Sequence, residues 1–227
     1  MPITNKIYNN YLVKKPWGEE YTIFSDRKKI AITLVKINPK KSTSLHSHPS
    51  KKTGFIILKG SPKIQIGIHK KNTWKSKVLS ILVLRPGLFH SISNINKKSD
   101  VIALEFETPY KKRDLIRFKD RYGRQNKGYE NKKFMKKLDS NNITFKNTND
   151  KQRYNLFGKD ITITKIKSRD QILKLSNKSV SAILDGVIVD KNKKSVISFG
   201  EIIKTKTLKM LTKQFYIHKP LKILNVL

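Results

Sequence analysis

Three histidines lie in two short segments of this 227-residue chain, and their spacing could serve metal or acid–base chemistry. His46 and His48 are separated by one residue, so on an extended strand both side chains face the same side. Two imidazoles on one face suit a metal ion or a proton-transfer pair. A turn at Gly87 would swing His90 out of the preceding strand. All three are candidate metal ligands, and His90 is also a candidate catalytic residue.

Polar residues near these histidines could bind a substrate. Arg85 precedes the Gly87 turn and could bind a phosphate or carboxylate, although a surface ion pair is an equal alternative. Lys51 and Lys52 follow His48 on a predicted turn, where they could hold an anion or lie in a solvated loop. Arg85, Lys52 and Thr53 are therefore the candidate substrate-binding residues.

Two carboxylates are further candidates for proton transfer. Glu105 and Glu107 would share one face of a strand, and one of them could point inward as a general base. The alternation with Leu104 and Phe106 equally suits a strand with one wet face. The segment Tyr122–Arg124, in a basic stretch further on, could cover the site.

The elements that must position these residues are predicted to be short strands. Many such strands separated by close turns are typical of a β-sandwich or barrel. A four-residue echo, ILKG at 57–60 and ILDG at 183–186, favours two β-lobes related by a degenerate repeat over coincidence. The predicted strands are 30–37, 63–69, 78–84, 101–107, 161–166, 180–184, 187–190, 195–199, 201–204, 214–218 and 221–226.

The histidine segments resemble the two motifs of the cupin superfamily over about residues 30–107. The matching positions are His46, His48, Gly60, Gly87, His90 and Asn94. The departures are Lys40, Thr53, Leu79 and Arg85. Thr53 matters most, because the family has a glutamate ligand there and a neutral hydroxyl is a poor ligand for a divalent cation. Three neutral histidines can still hold Zn, Mn, Fe or Ni, whereas without a metal they could act as a base or substrate clamp.

Two other segments resemble sugar-pathway cupins. Lys15-Pro16-Trp17-Gly18-Glu19-Glu20-Tyr21 is similar to the KPWG segment before the barrel of cupin-type phosphomannose isomerases, and the alternative is a packing Trp beside a turn. Residues 104–130 look like an extension of uncharacterised sugar-pathway cupins.

The resemblance implies an all-β fold, a cupin β-barrel of the double-stranded β-helix, jelly-roll type. A basic, partly helical linker and a second, degenerate cupin-like β-lobe would follow it. The expected domains are a barrel at 1–110, a linker at 111–155 and a lobe at 156–227. If Gly200 opens a second motif, its ligand positions fall on Lys206, Leu208 and Leu211, so this lobe would carry no metal ligands.

The function implied is that of a metal-dependent enzyme with one divalent transition metal. It would isomerise or epimerise a sugar phosphate or nucleotide sugar in a surface-carbohydrate pathway, as a homodimer. A three-histidine Fe(II) dioxygenase or lyase acting on a small polar metabolite is one alternative. A non-catalytic cupin that binds a small ligand is another.

Composition limits the other classes of function. The chain has no cysteine, which excludes disulfides and thiolate chemistry. Its 50 basic and 16 acidic residues give a net charge of +34, but 42 of the basic residues are scattered lysines. Codon bias explains that pattern better than a nucleic-acid partner does, and no specific nucleic acid is expected. Without a long apolar run or a secretory signal, we expect a cytoplasmic protein with no membrane partner.

Overall fold

β-branched, apolar runs form the centre of the first part of the chain. In this computed structural model, which describes residues 5–26, 29–125 and 127–227, the chain divides into two units. The first runs to residue 80 and takes in 84–145; the second comprises 81–83 and 146–227. Positions 1–4, 27 and 28 of the predicted first domain and position 126 of the predicted linker lie outside the described residues.

The described residues before 138 contain twelve strands. They are β1 (Tyr11–Lys15), β2 (Gly18–Asp26), β3 (Ile30–Ile37), β4 (Leu45–Ser47), β5 (Lys52–Lys59), β6 (Lys63–Ile66), β7 (Thr73–Lys75), β8 (Ile81–Leu84), β9 (His90–Ser93), β10 (Val101–Thr108), β11 (Ile116–Lys119) and β12 (Met135–Lys137). Two 3-10 helices, Asn5–Asn10 and Lys132–Phe134, complete this part.

Strands β3 to β10 are divided between two antiparallel sheets. One sheet contains the order β3-β10-β5-β8, and the other contains β4-β9-β6-β7. This strand order is the jelly-roll arrangement, so the all-β prediction is confirmed. Ile32, Ile56 and Phe106 are fully buried on the strands of the first sheet, which places the core inside the barrel.

The segment 111–145 forms part of the first unit and contains the 3-10 helix Lys132–Phe134 as well as two strands. The predicted boundaries of a linker at 111–155 stay a prediction. Strand β11 pairs with β4, opposing Arg117 to His46. Strand β12 pairs with β1, so the first sheet continues as β3-β2-β1-β12. Basic residues are compatible with this position because buried carboxylates neutralise several of them, as the site shows below.

The second unit contains one antiparallel sheet. Its strands are β13 (Gln152–Leu156), β14 (Lys159–Ile166), β15 (Val180–Val189), β16 (Ser195–Ser198), β17 (Ile202–Lys204) and β18 (Tyr216–Val226), in the order β13-β14-β18-β15-β16, with β17 also beside β15. Two pairs of predicted strands are single strands here, β15 and β18. The helices are α1 (Arg169–Leu173) and α2 (Thr205–Leu211).

Isoleucines and leucines of this sheet and both helices form its core. Ile172 of α1 and Leu208 of α2 are fully buried against Ile183 and Ile223. The positions predicted for a second cupin motif therefore fall on or at the end of a helix rather than on a strand. Descent of this unit from a second cupin half stays a prediction. Among the described residues, no helix has the length and apolar character that crossing a membrane requires.

Candidate metal centre

Three histidines converge inside the barrel. His46 of β4 and His90 of β9 are directly paired across antiparallel strands, and His48 follows the end of β4. The ring centroids lie 4.5 Å apart for His46 and His90, 5.0 Å for His46 and His48, and 5.3 Å for His48 and His90. One nitrogen from each ring lies within 4.8 Å of the other two, so the three could bind one metal ion.

Backbone carbonyls fix the orientation of all three rings. The Nδ1 atom of His46 lies 2.8 Å from the Ser44 oxygen, and that of His90 lies 3.1 Å from the Leu88 oxygen. His48 Nδ1 lies 2.6 Å from the carbonyl oxygen of Asp114. Because a carbonyl only accepts, each Nδ1 carries the proton and each Nε2 keeps its lone pair.

The Nε2 atoms of the histidines show that the site fits a metal ion. Those of His48 and His90 are buried and have no hydrogen-bond partner. Buried polar atoms are normally paired, so this arrangement is costly unless a ligand binds there. Histidines whose Nδ1–H bonds a carbonyl and whose Nε2 is free are the usual donors of metal sites.

The electrostatics keep the rings neutral, which is the form that binds metal. Burial, followed by repulsion from the other two histidines, holds the pKa of His46 well below its usual range. Burial lowers the pKa of His90 to about 4. Burial, followed by the charge of Lys51, lowers the pKa of His48 below that of His90. All three therefore have their lone pairs available at neutral pH.

Two turns hold the segments that carry the histidines. Gly87 has a φ of +78°, a conformation that favours glycine, and its N–H donates to the His48 carbonyl at 2.8 Å. The carboxylate of Asp114 accepts from the backbone N–H groups of Ser50 and Lys51, both at 3.0 Å. Asp114 thus fixes the turn after His48 as well as the His48 ring itself.

The two predicted catalytic carboxylates lie in different environments. Burial alone would raise the pKa of Glu107, but its ion pairs with Lys112, at 2.9 Å, and Lys51 lower it to about 2. Burial and the neighbouring Glu107 charge raise the pKa of Glu105 to about 7. Glu105 Oε1 lies 3.9 Å from His48 Nε2. Of these two residues, Glu107 is paired with lysines, whereas Glu105 presents its carboxyl group to the histidines.

The histidines and both carboxylates line a cavity of about 60 Å³. Sequence reasoning did not assign several other residues to this site. They are Lys15, Trp17, Glu20, Lys112, Arg117 and Tyr129. The predicted covering segment does contribute Arg124. The resemblances to sugar-pathway cupins contain the signal for these residues, since Lys15, Trp17 and Glu20 fall in the segment 15–21 and the others in 104–130.

Ion pairs satisfy the buried charges of this cavity. Lys15 contacts both Glu130 and, at 3.5 Å, Glu20. Arg124 lies 2.6 Å from Glu130, and Arg117 lies 3.5 Å from it. Glu20 also accepts a hydrogen bond from Tyr129. Each cation has a carboxylate partner, so the cavity combines many polar groups with little excess charge.

The structure does not bring the three predicted substrate-binding residues to this cavity. Arg85 is exposed on the turn before Gly87, and Lys52 is half-buried at the start of β5. Thr53 is buried and its Oγ1 has no hydrogen-bond partner, but it is absent from the lining. Lys51, for which a solvated loop was one expectation, is instead fully buried in its pair with Glu107.

No protein-family model matches the chain, and no curated protein does. Several solved structures are similar. The cupin domain of Schizosaccharomyces pombe Cnp3 is 17% identical, with a TM-score of 0.37, over 40% of this chain and 64% of that one. The capsular polysaccharide assembling protein CapF from Staphylococcus aureus is 15% identical, with a TM-score of 0.42, over 50% of this chain and 32% of that one. KdgF from Halomonas sp. is 10% identical, with a TM-score of 0.39, over 48% of this chain and 94% of that one.

At these identities and TM-scores the likeness carries no functional argument. The fold is assigned from the strand order of this chain. The first unit is a barrel of the double-stranded β-helix, jelly-roll type, which is the fold that the resemblance in the sequence implies. It contains a three-histidine group that could bind a metal.

Proposed function

We propose that this protein is a metal-dependent cupin enzyme that isomerises or epimerises a sugar phosphate or nucleotide sugar. The observation that carries the proposal is the convergence of three neutral histidines in a cavity rich in charged groups, where the Nε2 atoms of His48 and His90 are buried without a hydrogen-bond partner. His46, His48 and His90 would hold one divalent transition metal, with Zn, Mn, Fe or Ni as candidates. When bound, the metal supplies a Lewis acid that polarises a carbonyl or hydroxyl oxygen.

The other cavity residues suit a substrate rich in hydroxyl groups. Lys15, Arg117 and Arg124 offer N–H donors, and Glu20 offers an acceptor, from side chains that are already fixed by their ion pairs. Such fixed donors and acceptors bind a polar ligand without reorganising. Trp17, which the KPWG resemblance singled out, adds an apolar wall. These contacts favour the sugar substrate over an apolar one.

Glu20 is a candidate for moving a proton within this site. Its carboxylate faces the cavity and accepts a hydrogen bond from Tyr129, so a proton could pass between substrate and protein there. Glu107 is less suited, because two lysines hold it in the ionised form. The predicted catalytic assignments of His90 and Glu105 stay predictions.

Metal analysis of the purified, untagged protein is the first test. We expect about one transition metal per chain, and none in the His46→Ala/His90→Ala variant. The loaded protein should then convert one member of a panel of sugar phosphates and nucleotide sugars. Absence of metal even after reconstitution would overturn the metal site. Metal binding with saturable ligand binding but no turnover would overturn the enzyme and leave a binding module.

A second candidate is a three-histidine Fe(II) dioxygenase or lyase acting on a small polar metabolite. The donor set favours it, because Thr53 replaces the usual glutamate and leaves three neutral ligands in the motif positions. Substrate-dependent oxygen consumption with Fe(II), and silence with Zn(II), would select the dioxygenase. Activity with Zn(II) would select the isomerase or epimerase.

A further inference from the structure

The strand adjacent to the position where the cupin motif lacks its carboxylate supplies a carboxylate of its own. Thr53 stands at the motif position of the glutamate, on β5, and its Oγ1 is buried without a hydrogen-bond partner. Strand β10 pairs with β5, placing Glu107 opposite Thr53 and Glu105 opposite Phe55. Glu105 and all three histidines line the same cavity. A carboxylate thus reaches the site from β10 instead of β5.

The contact between His48 and Glu105 in its ionised form is unfavourable as it stands. The Nδ1–H of His48 donates a hydrogen bond to the carbonyl oxygen of Asp114, so Nε2 presents a lone pair. Glu105 Oε1, also an acceptor when ionised, lies 3.9 Å from that nitrogen, which is too far for a hydrogen bond. Two buried acceptors that face each other repel unless a cation lies between them.

The separation fits joint coordination of one ion. Nitrogen and carboxylate ligands bind zinc at about 2.0–2.2 Å, so two ligand atoms on one ion lie at most about 4.2 Å apart once it is bound, closer than the 4.8 Å that encloses the three histidine nitrogens. The 3.9 Å between Glu105 Oε1 and His48 Nε2 is within this limit. Glu107 differs, because Lys51 and Lys112 already neutralise it.

We propose that Glu105 is the fourth protein ligand of the metal, a carboxylate supplied by β10 in place of the one lost at position 53. The inference rests on the metal site of the proposed function. It gives the ion one anionic ligand in addition to the three neutral histidines, and it leaves Glu20 as the cavity carboxylate available for proton transfer.

Cobalt titration of the full chain tests this assignment. Co²⁺ is added to metal-free wild type, Glu105→Gln and Glu20→Gln, and the visible absorption of the bound ion is recorded. Loss of a ligand should weaken binding in Glu105→Gln by at least about tenfold and change the absorption spectrum. Glu20→Gln is the matched control, a second cavity glutamate that should keep both affinity and spectrum. Equal affinity and an unchanged spectrum in Glu105→Gln would overturn the proposal.

A measurement on the unmodified protein avoids dependence on how the variant folds. The infrared difference spectrum between metal-free and Co²⁺-loaded wild type should show a change in carboxylate stretching. Stoichiometric Co²⁺ binding with no such change would overturn the role of Glu105 alone and leave the three-histidine site standing. Failure of wild type to bind Co²⁺, Zn²⁺, Mn²⁺ or Ni²⁺ would overturn the metal site itself, and with it this inference.

Discussion

Each histidine of the site depends on a carbonyl that its own motif does not specify. Ser44 and Leu88 are close in sequence to their histidines, but Asp114 is 66 residues from His48. The sequence predicted the three histidines as candidate ligands because the types and spacing of these residues carry that information. It could not predict their tautomers, because the fixing groups are backbone atoms and any residue type supplies them.

Buried lysines were the harder feature to predict. Lys15, Lys51 and Lys112 are almost completely buried, each beside a carboxylate. In a chain with 42 lysines, composition gives no means of separating these three from the solvated ones. Their burial is set by carboxylates distant in sequence, which only the fold brings close.

Glu130 provides a prediction at this scale. Its carboxylate pairs with Lys15, Arg117 and Arg124. Glu130→Gln would leave the buried Arg117 without this carboxylate, and Lys15 with Glu20 alone. We expect a loss of about 3–5 kcal/mol in the free energy of unfolding at pH 7, measured by urea titration. Asp139→Asn, which removes an exposed pair with Lys136, is the control and should change stability little.

The comparison between wild type and Glu130→Gln also predicts how stability depends on pH. Burial opposes ionisation of Glu130, but Lys15 and its other partners outweigh it and hold its pKa below the ordinary 4.5. A lowered carboxyl pKa contributes stability above the unfolded pKa, and that stability is lost as pH falls through the folded one. The stability difference between wild type and Glu130→Gln should therefore shrink below about pH 4.5. A difference that stays constant down to pH 3 would contradict this ion-pair account.

At the scale of elements, strands were predictable where β-branched residues run together. Ile30–Ile37 has the bounds predicted for it, and Val101–Thr108 differs by one residue. Helix α2 was not predicted, because it is short and half of its pattern is lysine and threonine. Strands β11 and β12 were missed because their charges resemble those of a solvated linker.

Gly18 gives a prediction at the scale of elements. It begins β2 with a φ of +151°, and a Cβ there would lie 2.0 Å from the Lys36 carbonyl oxygen of β3. Gly18→Ala should therefore lower the thermal unfolding midpoint, with a cost of more than about 1 kcal/mol. Gly128→Ala is the matched control, because a Cβ there meets nothing within 4 Å. Equal midpoints for the two variants would show that the β2–β3 approach tolerates a side chain.

At the scale of the whole molecule, charge separates into two populations. The site balances its cations with carboxylates, whereas the net charge of +34 comes from the rest of the chain. Scattered surface lysines attract any polyanion without discriminating among them.

The expected outcome is non-specific binding that salt abolishes. The protein should bind heparin and random DNA at low salt with similar affinity. The affinity should fall linearly in log–log plots against salt concentration and be lost by several hundred millimolar. Fluorescence anisotropy with labelled oligonucleotides of different sequence measures both effects. Binding that persists at such salt, or that prefers one sequence, would contradict the expectation that no specific nucleic acid is a partner.

The contact of Asp114 with His48 also sets an order of events during synthesis. All eight strands of the jelly roll have left the ribosome once residue 108 has emerged, yet the carbonyl that fixes the His48 ring belongs to residue 114. A nascent chain that ends between these points holds every histidine of the site and lacks the partner that selects the His48 tautomer. The nascent protein therefore acquires its barrel strands before it acquires the carbonyl that selects the His48 tautomer.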